Sequence, residues 1–371
     1  MRVVLLGLGN VSQTILIPAI RSVPGLEIVA ACDTNAEARE RAARAGIASG
    51  AGSASGGIHA TPAEAIAAGR PELVVVATPP DSHRELSILA LDAGAHVFCE
   101  KPFAPSVADA DAILAASART GRQVAINNQY YKMPVFAAFH DAIARGAHGE
   151  LLFLSAWQTT LEPPRRDMGW RGALRKRTLY EFGTHAIDLI TRSFGERPAA
   201  VTCSLASDGG DREWDAFTAT TLHFSRGRIA TFSTNRVSRG RWRYLDLRAD
   251  CGGATIRASL GGEARIAFGV DGLARVPFVS TQITKGGFAW IETGERRRVL
   301  ASNTANPQAP ATGLHLGDFV RAIAEGRAFE GGAASNRAAI ETVAAAYLSA
   351  ELGRKIDLAA DASAIANLSL G

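Results

Sequence analysis

Residues 3–12, Val3-Val4-Leu5-Leu6-Gly7-Leu8-Gly9-Asn10-Val11-Ser12, decide how the chain is read. Four apolar residues in succession suit a short strand buried on both faces. The glycines that follow make a turn where main chain can approach a ligand closely, and Ser12 opens a helical pattern over 12–22. Such a turn aims backbone N–H groups and the positive end of a helix at an anion such as a pyrophosphate. A second strand, over 27–31, leads to Asp33, twenty-one residues beyond Ser12. A carboxylate there accepts hydrogen bonds from both adenosine ribose hydroxyls and repels a 2′-phosphate. Strand, glycine turn, helix and acid in this order predict a dinucleotide site. Its first contacts are Gly7, Gly9, Asn10, Val11, Ser12 and Asp33. The cofactor is NAD or NADP: Asp33 favours NAD, while Arg39 and Arg41 are the cations that could meet a phosphate.

Outward from this segment, buried-strand patterns recur at 73–77, 96–99 and 123–126. They alternate with Ala-rich helical patterns at 36–45, 61–68, 82–93 and 106–120, which predicts a parallel sheet with helices on both faces. Residues 46–57 are Gly/Ala/Ser-rich and read as a flexible surface connection. After residue 127 the rhythm changes to longer strands at 151–159, 200–204, 218–224, 229–235, 244–249 and 254–258. One helix, over 179–193, interrupts them, and helices at 314–325 and 335–352 close the chain. This part predicts a mostly antiparallel sheet with a helix on one face. A chain of 371 residues exceeds one ordinary core. The expected division is an α/β dinucleotide-binding domain over 1–126 and an α+β domain over 127–371.

With 47% hydrophobic residues, disorder and coiled coil are excluded. Forty basic against 36 acidic side chains leave only +4, and no basic stripe is interleaved with aromatics, so no nucleic-acid partner is expected. Cys32, Cys99, Cys203 and Cys251 are far apart, which argues against a zinc ribbon or disulfide framework and fits a reducing cytosol. No apolar run approaches the ~18–20 residues of a membrane helix, and the N-terminus runs straight into the glycine turn. The expectation is a cytoplasmic protein with no membrane partner.

Two proline-stiffened loops, Ala77-Thr78-Pro79-Pro80 and Glu100-Lys101-Pro102, follow successive strands. They belong at the same carboxyl edge of the sheet, where ligands of open α/β folds lie. Thr78, Pro79, His83, Glu100 and Lys101 are therefore expected beside the cofactor. Lys101, next to Glu100, suits an acid/base role or a surface site. On a regular helix Glu181, His185 and Asp188 stand at i, i+4 and i+7 and share one face. His185 is the natural proton carrier near neutral pH. A carboxylate–imidazole metal site competes with that reading, but no further His/Cys cluster supports it, and no metal is expected. Arg171, Arg175, Lys176 and Arg177 form a basic segment that is either a solvated face or a seat for an anionic substrate group. Trp170 and Arg171, with Asn128, Tyr131, Lys101 and His185, make up the expected substrate contacts, and His315 is a further candidate.

Gly7-x-Gly9, Ala77-Thr78-Pro79-Pro80-x-x-His83, residues 96–102 (HVFCEKP) and Gly183-x-His185-x-x-Asp188, in this order, resemble the Gfo/Idh/MocA oxidoreductases. The likeness runs almost end to end: Asn127-Asn128-Gln129-Tyr130-Tyr131 with Pro134 resembles the family's entry to its second domain, and residues 344–354 its closing helix. The resemblance implies a Rossmann domain followed by an open-faced, mostly antiparallel sheet domain, joined through that sheet into a homodimer or homotetramer. It implies a nicotinamide dinucleotide with Lys101 near the reacting carbon, His185 as its proton partner and Glu181 assisting. The implied activity is hydride transfer to or from a sugar, cyclitol or related polyhydroxy compound. The alternatives are reduction of a non-sugar substrate such as an imine or dihydrodiol, and a nucleotide-binding regulatory protein without turnover. Two departures stand out. The family commonly has Asp four residues before the His where Glu181 stands, and a Gly-rich lead-in is replaced by Arg175-Lys176-Arg177-Thr178, which points to a substrate other than inositol or a more acidic one.

Overall fold

The computed structural model describes residues 1–48, 56–162, 169–207, 215–239, 244–261, 263–270, 277–284, 286–294, 296–304 and 306–370. Most of the glycine-rich connection, residues 49–55, lies outside them. Among these residues the first sheet has strands β1 (Arg2–Leu6), β2 (Glu27–Cys32), β3 (Gly57–His59), β4 (Leu73–Val76), β5 (His96–Cys99) and β6 (Val124–Ile126). Their order is β3-β2-β1-β4-β5-β6 and every pairing is parallel. The strand order reverses between β1 and β4, which opens a crevice at their carboxyl ends.

The helices are α1 (Ile17–Ser22, preceded by a π-helical turn over Ser12–Leu16), α2 (Ala36–Arg44), α3 (Pro62–Gly69), α4 (His83–Asp92) and α5 (Val107–Thr120). Val4, Leu6, Val74, Val76 and Val97 pack on one face against Leu86, Leu91, Val107 and Ile113. Val3, Leu5, Leu73, Val75 and Phe98 pack on the other against Ile17 and Ile20. Burial on both sides is why these strands read as unbroken apolar runs.

After β6 the chain makes α6 (Pro134–Ala144), β7 (Leu151–Thr159), α7 (Thr184–Phe194), β8 (Ala200–Ala206), β9 (Phe217–His223), β10 (Ile229–Asn235), β11 (Leu245–Cys251) and β12 (Thr255–Leu260). A hairpin of β13 (Glu263–Val270) and β14 (Pro277–Thr284) pairs with itself. Then come β15 (Phe288–Thr293), β16 (Arg296–Ser302), α8 (Gln308–Ala324), α9 (Ala333–Leu352) and β17 (Ile356–Asp357). The second sheet runs β16-β15-β12-β11-β7-β10-β9-β8-β17, antiparallel except for the β7–β10 pair. Its residues alternate: Ala230 and Phe232 are buried where Ser233 is exposed. Helices α6, α7 and α9 cover the buried face, while Trp157 remains 43% exposed on the other. No helix among the described residues is long and apolar enough to cross a membrane.

Helix α8 does not stay with the second sheet. It packs on α1, and its Leu316 and Phe319 complete the apolar layer beneath Val3, Leu5 and Phe98. His315 lies within this helix, fully buried, with Nε2 2.8 Å from the Ile126 carbonyl and Nδ1 2.9 Å from the Tyr131 hydroxyl. Nε2 therefore donates to the carbonyl and Nδ1 accepts from the tyrosine. Burial lowers its pKa to about 4.

Candidate active site

The glycine turn leaves β1 at the crevice. Gly7 has φ +94°, and a Cβ there would stand 2.5 Å from the Ala77 carbonyl oxygen, so glycine is required by both conformation and contact. A Cβ on Gly9 would meet nothing within 4 Å: the main chain here lines open space wide enough for a diphosphate to come close. Ser12, the residue in place of a third glycine, is buried and donates from its hydroxyl to the Gly7 carbonyl at 2.6 Å. It props the turn from below, contrary to the expected cofactor contact. Asp33 accepts from the Leu8 N–H and the Asn35 N–H, both at 2.8 Å, which fixes its carboxylate at the mouth of the crevice. Arg39 is tied back to the Asp33 and Thr34 carbonyls.

A cavity of about 860 Å³ runs along this edge, lined among others by Gly7, Gly9, Asn10, Val11, Asp33, Thr78, Pro79, Glu100, Lys101, Trp170 and Arg171. Its size and lining fit a dinucleotide: main chain for the diphosphate, Asp33 for the ribose. His83 takes no part in that wall. It is fully buried, with one ring nitrogen 2.9 Å from the Thr78 carbonyl and the other 3.0 Å from that of Pro102. It is buried between the two proline loops, where a neutral ring donates to one of these carbonyls, which corrects its assignment as a cofactor contact.

The other end of the cavity holds the ionisable groups. Glu100 accepts from Asn127 Nδ2 at 2.6 Å and from the Lys101 N–H at 3.2 Å. Lys101, before a cis Pro102, donates from Nζ to the Glu181 main-chain carbonyl at 3.2 Å. Burial lowers its pKa, against the pull of Glu181 and Glu100. His185, 3% exposed, is buried beside it rather than on the cavity wall. Its Nδ1 lies 2.6 Å from Asn128 Oδ1. The Asn128 amide group faces two acceptors, Thr184 O at 3.5 Å and Asn336 Oδ1 at 3.4 Å, so its oxygen must point to His185. The His185 proton is thereby assigned to Nδ1, leaving Nε2 as a lone-pair base. Tyr130 stacks on the imidazole with ring centres 3.7 Å apart. Burial, then the Lys101 charge, hold His185 neutral well below its ordinary pKa. Asn128, expected to touch substrate, instead orients the base.

The shared helix face predicted for Glu181, His185 and Asp188 does not form. Thr178–Gly183 is a π-helical turn, whose wider winding breaks the i, i+4, i+7 register. Both Glu181 carboxylate oxygens are engaged, one by Arg171 Nε and the other by Arg177 Nε at 2.6 Å. Burial would raise its pKa, but Lys101, Arg177 and Arg171 outweigh this and keep it ionised. So held, Glu181 is placed to orient its neighbours, within the orienting or assisting role that the resemblance implied. Asp188 turns to Arg192, at 2.8 Å. Arg192 also lies 3.9 Å over the Tyr131 ring, so Tyr131 faces away from Lys101, its hydroxyl spent on His315. The basic segment is split as well: Arg171 and Arg177 clamp Glu181, whereas Lys176 pairs with Glu351 at 2.9 Å.

Sequence reading missed Tyr130, Asn127 and the ion chain running from Arg177 through Glu162 to Arg236, linked at 3.1 and 3.0 Å. Asn127 and Tyr130 had one available signal, their place just after a strand at the ligand edge.

The likeness to known proteins agrees with the two-sheet fold. Residues 1–128 match the model of an oxidoreductase family with an NAD-binding Rossmann fold, and residues 136–257 match the GFO/IDH/MocA C-terminal domain. D-apiose dehydrogenase of Paraburkholderia graminis is 31% identical over 55% of this chain, and the chain spans about half (52%) of that protein's length. Levoglucosan dehydrogenase of Pseudarthrobacter phenanthrenivorans is 27% identical over 68% of this chain and 71% of its own. An oxidoreductase from Agrobacterium radiobacter, solved in complex with NAD+, L-tartaric acid and magnesium, has a TM-score of 0.78 at 16% identity, covering 96% of this chain and 98% of that one. Two matched models over most of the length, with the glycine turn and the second sheet in their places, make this chain a member of the Gfo/Idh/MocA oxidoreductase family.

Proposed function

We propose that the protein is an NAD(P)-dependent dehydrogenase or reductase acting on a carbinol or carbonyl carbon of a sugar, cyclitol or related polyhydroxy compound. The observation that carries this reading is Lys101 on the wall of a dinucleotide cavity with a neutral, Nδ1-protonated His185 buried beside it. Gly7, Gly9, Asp33 and Thr78 would hold the cofactor, whose nicotinamide supplies the hydride acceptor or donor when bound. His185 Nε2 takes the proton of the substrate hydroxyl, and the Lys101 ammonium steadies the charge growing on that oxygen. Glu181 holds the ammonium in place through its carbonyl. Asn128 keeps the imidazole in the tautomer that can act as base. The Asp33 carboxylate favours NAD over NADP. The sugar dehydrogenases among its relatives support the substrate class. The open sheet face, with Trp157 and Val299 exposed, suits pairing into a homodimer or homotetramer.

The test follows nicotinamide absorbance across a polyol and aldose panel with NAD+ and NADP+, alongside dinucleotide affinity. Turnover of at least one member with tighter NAD+ binding is expected. Tight dinucleotide binding with no turnover across the panel contradicts the proposal and leaves a binding protein.

A further inference from the structure

Arg171 lines the same cavity as Lys101 and Glu100. Its Nε donates to the buried Glu181 carboxylate, and its guanidinium carbon lies 4.4 Å from the centre of the Trp170 ring. These two contacts fix the guanidinium from behind and from one face. Its two Nη amino groups have no hydrogen-bond partner among the described residues, and the side chain keeps 38% of its surface exposed. Glu181 does not cancel this charge alone, because it is shared with Arg177 and lies in the field of Lys101. Glu100, an acid on the wall next to Lys101, has both oxygens occupied, by Asn127 and the Lys101 N–H. A cofactor phosphate has its cradle elsewhere, at Gly7 and Gly9. A planar fork of N–H donors held ready beside the reacting lysine matches a carboxylate, which it binds through two parallel hydrogen bonds.

We infer that the substrate is a polyhydroxy carboxylate, an aldonate or uronate, whose carboxylate docks on the Nη groups of Arg171 while a hydroxyl-bearing carbon faces Lys101. This deepens the proposed redox reading and rests on it for the reaction, though not for the binding. Trp170 and Glu181 act through Arg171, by holding its plane.

The experiment uses matched pairs: D-gluconate against D-glucitol, and D-galacturonate against D-galactose. Turnover is followed by nicotinamide absorbance. Binding is followed independently, by titrating each compound into the NADH-loaded protein and reading NADH fluorescence. The acids are expected to surpass their neutral partners by ~30-fold or more in kcat/KM, and to bind more tightly. Arg171→Gln should collapse the acid-to-neutral ratio by a similar ~30-fold, and Arg171→Lys should restore part of it. The lysine variant, with thermal midpoints for both, guards against a misfolded glutamine variant. Preference for the neutral partners, or a ratio unmoved by Arg171→Gln, overturns the inference while leaving the redox reading in place. Acids that bind in an Arg171-dependent way without any turnover uphold the inference and defeat the redox reading instead.

Discussion

One end of the cleft meets its ligand with main chain, the other with buried charge. At the first, Gly7 and Gly9 present backbone, and the Asp33 carboxylate after the second strand is itself pinned by two amide N–H groups. At the second, Lys101, Arg171, Arg177 and Arg236 are interleaved with Glu100, Glu181 and Glu162. Sterics govern the first, and a single added methyl either clashes or does not. Electrostatics govern the second, where removing one partner strands another in a poorly solvated place. The two ends should therefore fail differently when altered.

The largest effect is expected at the main-chain end. Gly7→Ala forces a Cβ against the Ala77 carbonyl at an unfavourable φ and should cost about 3 kcal/mol of stability or more, together with dinucleotide binding. Gly9→Ala, with open space around its Cβ, should fold with a thermal midpoint near wild type yet lose ~10–100-fold in dinucleotide affinity. Denaturation and fluorescence titration of both variants break the comparison if their outcomes are alike.

A smaller effect is expected at the charged end. Asn128→Leu removes the acceptor that holds His185 Nδ1–H and should lower kcat by ~10–100-fold with dinucleotide affinity retained. Asn128→Asp places a carboxylate beside the imidazole and favours its charged form, so the acid limb of the pH–rate profile should move upward from its wild-type position well below the usual histidine value. An acid limb that stays put shows that His185 is not the titrating group.

The smallest effect lies outside the cleft and sharpens any pH comparison between its ends. His140 and His315 are held neutral by burial, each with its pKa lowered from 6.5 to about 4. The unfolded chain binds these protons first, so this contribution is complete above pH 6.5 and is lost as pH falls toward 4. These two should make the protein about 1 kcal/mol more stable in urea melts at pH 7 than at pH 6, with the buried His83 and His185 adding in the same direction, and His140→Asn should reduce the difference.

The main-chain end was legible because its determinants are local: strand, glycines and acid lie within the first thirty-three residues. Lys101 and His185 were legible as motif members, each in its own loop or helix. Their surroundings were not. A π-helical turn cannot be read from spacing that assumes a regular helix, so Glu181 was placed on one face with His185 and Asp188. Tyr130 and Tyr131 are adjacent aromatics in a 3-10 turn, and only packing reveals that Tyr130 stacks on His185 while Tyr131 turns to His315 and Arg192. The ion chain joins residues 162, 177 and 236, which nothing local brings together. Helix α6 went unread although Val135, Phe136 and Phe139 are fully buried in it. Helix α8 was read as part of the second domain, but its apolar stripe finds a partner in the first sheet.

The central claim is that Lys101 and His185 serve one proton at one carbon, and a double-variant cycle on turnover tests it most directly. Lys101→Met and His185→Ala should each lower kcat by ~10²–10⁴-fold with dinucleotide affinity within a few-fold of wild type, and the double variant should be hardly worse than the more damaged single one. Losses that multiply in the double variant would show two groups acting independently and contradict the account.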